Sequence, residues 1–135
     1  MRSKKILIDP SMWIEYFQNR SHELSKRVDE YLSQSKVYVP RVVIAELIRN
    51  SRSGKETSII ERFVEAFNIV DQNEETWIKA GHLSHQLKRD GKNVNLIDCY
   101  LAVIAMDNDC EILTLGRQFE DIREIMDIQL LTFEK

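Results

Sequence analysis

Three acids in this chain sit where acids are expensive to place. Asp9 directly follows the apolar run Ile6, Leu7, Ile8, so it projects from the end of what reads as a buried strand. Glu46 interrupts an otherwise apolar helical stretch, Val43, Ile44, Ala45, Leu47 and Ile48. Asp98 lies in the first turn of the most hydrophobic helical segment, which begins at Leu96. A carboxylate near a buried surface costs free energy unless it is paired or bound to a cation. Taken singly, each has an ordinary explanation: Asp9 as a turn acid, Glu46 paired with Arg49 or Arg41, Asp98 facing a helix dipole. All three in one small chain, each at a critical position of an apolar element, point to a shared site. Carboxylates without His or Cys ligands select a hard ion, Mg²⁺ or Mn²⁺. Such an ion activates water and neutralises charge at a phosphodiester, which sets the expected reaction class.

The elements that must position these acids can be read from periodicity. Residues 5–9 form a strand whose consecutive apolar residues suit a parallel sheet covered on both faces. Pro10 and Ser11 turn the chain into a short helix with Met12, Trp13, Tyr16 and Phe17 on one face. A helix follows over about 23–33, carrying Leu24, Val28, Tyr31 and Leu32, then a strand over 36–39. Pro40 suits the first turn of the next helix, which runs to about Asn50. Residues 50–55 have loop chemistry, and Ile59, Ile60, Phe63, Val64 and Phe67 mark another helix before a brief strand at 68–70. The segment 74–90 reads as a helix with Trp77, Ala80, Leu83 and Leu87 inward and Gly91 as its stop. Asn95 is placed to cap the helix 96–107, which is apolar nearly all round and therefore central. Strands at 111–115 and 128–132 flank a short helix near 119–126. Alternating strands and helices without a tight hairpin signal predict an α/β fold with a parallel sheet between helical layers.

Composition sets the frame. The 135 residues, 43% hydrophobic and 30% charged, suit a single domain over 1–135 with a real core and no disulfide staples. Four Gly and two Pro leave little room for linkers. Cys99 and Cys110 fall in apolar patterns and read as buried reduced thiols of a cytoplasmic protein. No Cys/His spacing suggests zinc, and His82 and His85 read as surface residues. The apolar run at 6–8 is too short for a signal peptide and that at 100–106 too short to span a bilayer, so no membrane role is expected. The net charge of −3 speaks against coating nucleic acid by bulk charge, while allowing an acidic metal site ringed by basic groups.

Four stretches taken together carry a family resemblance. Ile-Leu-Ile-Asp-Pro-Ser-Met-Trp-Ile (6–14), Val-Ile-Ala-Glu-Leu (43–47), Leu-Ile-Asp-Cys-Tyr-Leu-Ala-Val-Ile-Ala (96–105) and Ile-Leu-Thr-Leu-Gly-Arg-Gln-Phe (112–119) resemble, in order and spacing, the motifs of PIN domains, most of all the VapC-type toxins of bacterial toxin–antitoxin pairs. Lys88-Arg89-Asp90-Gly91 ahead of the third motif extends the likeness over nearly the whole chain. The resemblance implies a three-layer α/β/α domain and a ribonuclease binding Mg²⁺ or Mn²⁺ through Asp9, Glu46 and Asp98, with Ser11 and Thr114 as polar neighbours. It further implies a homodimer, a VapB-like antitoxin partner, and transfer or ribosomal RNA as substrate. Arg49, Arg52 and Lys55 are candidates for RNA phosphate contacts, as are Lys88, Arg89 and Lys92; solvated loop charges are the plainer reading of both clusters.

One departure matters. The family's fourth motif usually reads Thr-x-Asp, and Gly116 stands in the third place; Gln118 stands where a further acid is often found. Loss of that carboxylate weakens one metal position or leaves it to water. Glu120 and Asp121 are expected on the solvent face of the following helix rather than in its stead. The rival expectation is therefore a degenerate PIN domain that binds RNA or antitoxin without catalysis. A phosphoacceptor domain would need paired acids after the first strand and a lysine at a late strand end; Pro10-Ser11 and Gly116-Arg117 occupy those places. A haloacid-dehalogenase-like phosphatase would need a second Asp at Ser11.

Overall fold

The strand Lys5–Ile8 (β1) lies at the middle of the sheet because nothing in its last three residues tolerates water: Ile6, Leu7 and Ile8 are at most 1% exposed. A computed structural model describes residues 4–19 and 22–133. β1 is flanked by Val37–Val39 (β2) on one side and Cys110–Thr114 (β4) on the other. Asn68–Ile69 (β3) and Gln129–Thr132 (β5) complete an all-parallel sheet of order β3-β2-β1-β4-β5. From β1 the chain first builds outward through β2 and β3, then returns to build the other way through β4 and β5. That reversal creates a switch point between β1 and β4, and open parallel sheets bind ligands outside the carboxyl ends of the strands at such a point.

Helices cover both faces. On the way from β1 to β3 come Pro10–Gln18 (α1), His22–Ser33 (α2), Arg41–Arg49 (α3), Gly54–Phe63 (α4) and a 3-10 turn at Val64–Ala66. Thr76–Arg89 (α5) and Leu96–Asp107 (α6) lead into β4, and Gln118–Arg123 (α7) links β4 to β5. α6 is the central helix its composition predicts, with every residue from Cys99 to Ala105 buried. Each Leu, Ile or Val removed from water in this way contributes ~1.5–3 kcal/mol. Among the described residues no helix is long and apolar enough to cross a membrane. Both cysteines are buried and unpaired, and burial pushes each thiol up to about 11, so neither is a nucleophile at neutral pH.

Several local expectations need correcting. Pro40 is not in the first turn of α3 but caps it with extended backbone (ψ 146°). Gly54 and Lys55 belong to α4 rather than to the preceding loop. Ser53 accepts from the Glu56 amide at 3.1 Å, an N-cap that starts the helix early, while Glu56 accepts from the Arg52 amide at 2.7 Å just before it. Phe67 falls beyond the helical turns in extended backbone. Trp77 does not point inward: it is 41% exposed, because Thr76, Ala80, Leu83 and Leu87 fill the buried stripe and leave Trp77 to stack on Tyr100 at its edge (4.3 Å). β4 begins one residue earlier than its hydrophobicity suggested, at Cys110, where it pairs with Lys5. It ends at Thr114, whose hydroxyl accepts from the Gly116 amide at 2.9 Å and turns the chain out of the sheet.

Candidate active site

Asp9 ends β1 and caps α1 at once, with Pro10 pre-set for the first helical position. Its Oδ1 accepts from the Ser11 hydroxyl at 2.6 Å and the Met12 amide at 3.2 Å. Its Oδ2 accepts from the Thr114 hydroxyl at 2.6 Å, across to the end of β4. The side chain is 1% exposed, and burial raises its pKa even though these donors pull the other way. Ser11 and Thr114 thus both donate to Asp9.

Asp98 is set by the cap of α6: the Asn95 side chain accepts from the Asp98 amide at 2.8 Å. Its carboxyl is pushed up to about 6, first by burial, then by the charge of Asp9 and, more weakly, of Glu46; a hydrogen bond from Gln118 offsets part of the rise. Glu46, half-buried on α3, faces the same space, with the Arg49 guanidinium 4.0 Å away at the mouth. Asp9, Ser11, Glu46, Arg49, Asp98 and Gln118 line one open cleft of about 340 Å³ at the carboxyl edge of the sheet. A larger hollow of about 630 Å³ opens at the opposite edge, but there Lys4 is already paired with Glu111 at 3.1 Å and the site's acids are far away along the strands.

The remaining basic candidates separate. Arg52 is engaged in the fold, 3.6 Å from Glu56 and donating to the Gln18 carbonyl at 3.2 Å, so it ties the loop after α3 to α1. Lys55 is exposed on the first turn of α4 outside the cleft lining. Lys92 pairs with Asp121 at 3.6 Å. His82 and His85 are on the surface. Gln118, noted in the sequence only for the acid it replaces, is the site residue that motif reading undervalued. Its place two residues past Gly116 was the available signal.

Two measurements check this geometry. An acid whose pKa is raised by folding stabilises the fold fully below its unfolded pKa, and that contribution is lost as pH rises through the folded value. For Asp98 the window runs from 3.8 to about 6. The stability difference between the protein and Asp98→Asn, followed by thermal melting without divalent ions, is expected to grow in the variant's favour across that window and then level off. Asn95→Ala removes the cap that orients Asp98 and is expected to cost about 1 kcal/mol in urea unfolding.

The donor chemistry fits a hard divalent cation: oxygen ligands only, with the charges of Asp9 and Glu46 raising the pKa of Asp98. The arrangement is open, since among the described residues no three His, Cys, Asp or Glu side chains are grouped tightly enough to hold an ion between them as they stand. Mg²⁺ commonly keeps several waters and takes only one or two carboxylates directly, which suits such a cleft.

A parallel α/β sandwich with an acidic cleft at its switch point is thus the class that fold and site define. Residues 6–125 match the PIN domain, and the chain belongs to that family. It is 29% identical over 121 residues to Ribonuclease VapC1 of Methanocaldococcus jannaschii, covering 89% of this chain and 82% of that protein. It is 24% identical to Ribonuclease VapC1 of Haemophilus influenzae, covering 91% and 93%. Among solved structures, the DNA-bound VapBC complex of Salmonella typhimurium contains a chain that superposes with a TM-score of 0.79 at 21% identity, over 96% of this chain and 98% of that one. A chain of VapBC-1 from nontypeable Haemophilus influenzae gives 0.75 at 22% identity, over 94% and 96%. These likenesses bear out the three-layer α/β/α fold.

Proposed function

We propose that this chain is a metal-dependent endoribonuclease, the toxin of a toxin–antitoxin pair, acting in the cytoplasm as a single domain within a homodimer and held in check by a VapB-like antitoxin. The observation that carries the reading is the convergence of Asp9, Glu46 and Asp98, from three distant segments, on one cleft in which they raise the pKa of Asp98. Relatives named as VapC ribonucleases and structural neighbours that are VapBC complexes support the substrate class and the partner.

Asp9, Glu46 and Asp98 would hold Mg²⁺ or Mn²⁺. When bound, such a cation supplies charge stabilisation at the scissile phosphate and lowers the pKa of water. Ser11 and Thr114 donate to Asp9 and keep its oxygens oriented. Arg49 is mostly exposed at the cleft mouth and placed to meet an RNA phosphate. Water attacks phosphorus in line, its proton passing to solvent or to a carboxylate not fully engaged, and the phosphorus–oxygen bond to the leaving nucleotide breaks. No side chain acts as nucleophile. Transfer or ribosomal RNA is the proposed substrate.

Gly116 and the open arrangement of the acids favour a second reading, a PIN domain that binds RNA or antitoxin without cutting. Purified antitoxin-free protein incubated with total cellular RNA and Mn²⁺ separates the two. Discrete, chelator-sensitive cleavage is expected. Silence in the protein with activity gained in Gly116→Asp would mean a nuclease scaffold short of one ligand. Silence in both would sink the enzyme reading in favour of the binding module.

A further inference from the structure

We propose that Gly116 and Gln118 act as a pair in place of the missing fourth acid: the absence of a side chain at 116 lets the Gln118 carboxamide lie over the cleft, where it is a positioning residue for Asp98. The inference rests on the cation-binding reading of the cleft. A Cβ built on Gly116 would run into the Gln118 side chain, overlapping Oε1 and coming within 2.8 Å of Cδ and 3.0 Å of Nε2. The backbone at 116 does not itself require glycine. Gly91, with φ 75°, is the described glycine with positive φ, and Gly116 has none. What glycine provides at 116 is therefore space, and Gln118 takes it.

The segment leaving β4 then reaches both the buried Asp9 and the half-buried Asp98. The Gly116 amide donates to the Thr114 hydroxyl at 2.9 Å, and that hydroxyl donates to Asp9 at 2.6 Å. Two residues on, Gln118 lines the same cleft as Asp98, near enough for its side chain to lower the Asp98 pKa. A carboxamide can donate to a carboxylate where a fourth acid would repel it. The pair thus orients Asp98 without adding a further acid to the cleft, with one position left for water or a phosphate oxygen. Groups that orient a metal ligand typically change affinity by about 10–100-fold when removed.

The test is Mn²⁺ binding by the purified protein without RNA, read as free Mn²⁺ by electron paramagnetic resonance, with thermal melting alongside. Gln118→Ala and Gly116→Ala are each expected to weaken binding by about tenfold. The double variant should be no weaker than either single one, because both changes remove the same contact. Gln118→Glu should move the two readouts in opposite directions, binding Mn²⁺ more tightly while melting lower in its absence, which a space-filling role would not produce. Wild-type affinity in Gln118→Ala beside lost affinity in Asp9→Asn would overturn the pairing and leave the cleft reading standing. Additive loss in the double variant would likewise overturn it. Saturable binding absent from the wild type, or unchanged in Asp9→Asn, would overturn the cleft reading and this inference with it.

Discussion

Asp9→Asn is expected to lower RNA cleavage by about 10²–10³-fold, on the scale of removing one charge-stabilising group from an active site, while leaving the protein at least as stable at neutral pH. Two effects oppose each other at this position. Ser11, Met12 and Thr114 donate three hydrogen bonds to the carboxylate, and asparagine would keep those made to its oxygen but meet Thr114 with an amide group. Against that, burial of the charge outweighs the donors in setting the pKa of Asp9, so the ionised carboxylate is a net cost to the folded state at neutral pH. Neutralising it relieves that cost. The sign follows as for Asp98: the advantage of asparagine is absent in acid and emerges as pH rises past the ordinary carboxylate range. A single-turnover cleavage assay and a melting curve on the same preparation check both halves. Cleavage that survives the substitution would remove Asp9 from the chemistry.

Trp13→Ala is expected to destabilise the fold by about 3–5 kcal/mol, the usual cost of removing a buried large aromatic. That is a large share of a typical domain's ~5–15 kcal/mol. The indole is fully buried. It stacks on Phe17 at 5.7 Å, tilts against Phe67 at 5.1 Å and meets Tyr16 edge-on at 5.8 Å. Phe63 closes the same cluster against Tyr16 and Phe17, so α1 is held to the end of α4 and to the approach to β3. Because α1 starts at Asp9, loosening it also loosens the acid. Trp13→Phe should cost much less, since Nε1 is buried with no hydrogen-bond partner among the described residues and its removal relieves an unsatisfied donor. Urea unfolding of the two variants measures the difference. Equal losses would mean that the cluster needs the indole itself and that a smaller aromatic ring does not hold it.

How much of this was legible without coordinates depends on the range of the interaction. Asp9 could be picked out because a strand buried on both faces reads as consecutive apolar residues, and an acid at its end is conspicuous on local grounds. α6 declared itself for the same reason: a segment apolar on all sides has only the core to occupy. The alternation of such segments sufficed for a parallel α/β sheet, and the four motifs for the family. Periodicity reports which face of an element is buried; it does not report what that face meets. The bond from Thr114 to Asp9 joins residues 105 apart in sequence and exists only because β4 pairs beside β1. Trp77 has the residue type of a core anchor and lies outside the core, because α5 turns its Ala80 and Leu83 stripe toward α6. Arg52 and Arg49 look equivalent as loop charges, yet one is bound up with Glu56 and Gln18 while the other faces the cleft. Gly116 read as a missing ligand becomes, in three dimensions, the space that Gln118 fills. The sequence by itself determined the residue types, the elements and the family; tertiary structure decided which side chains meet, because packing of distant segments is set by the whole sheet order and not by any one stretch of chain.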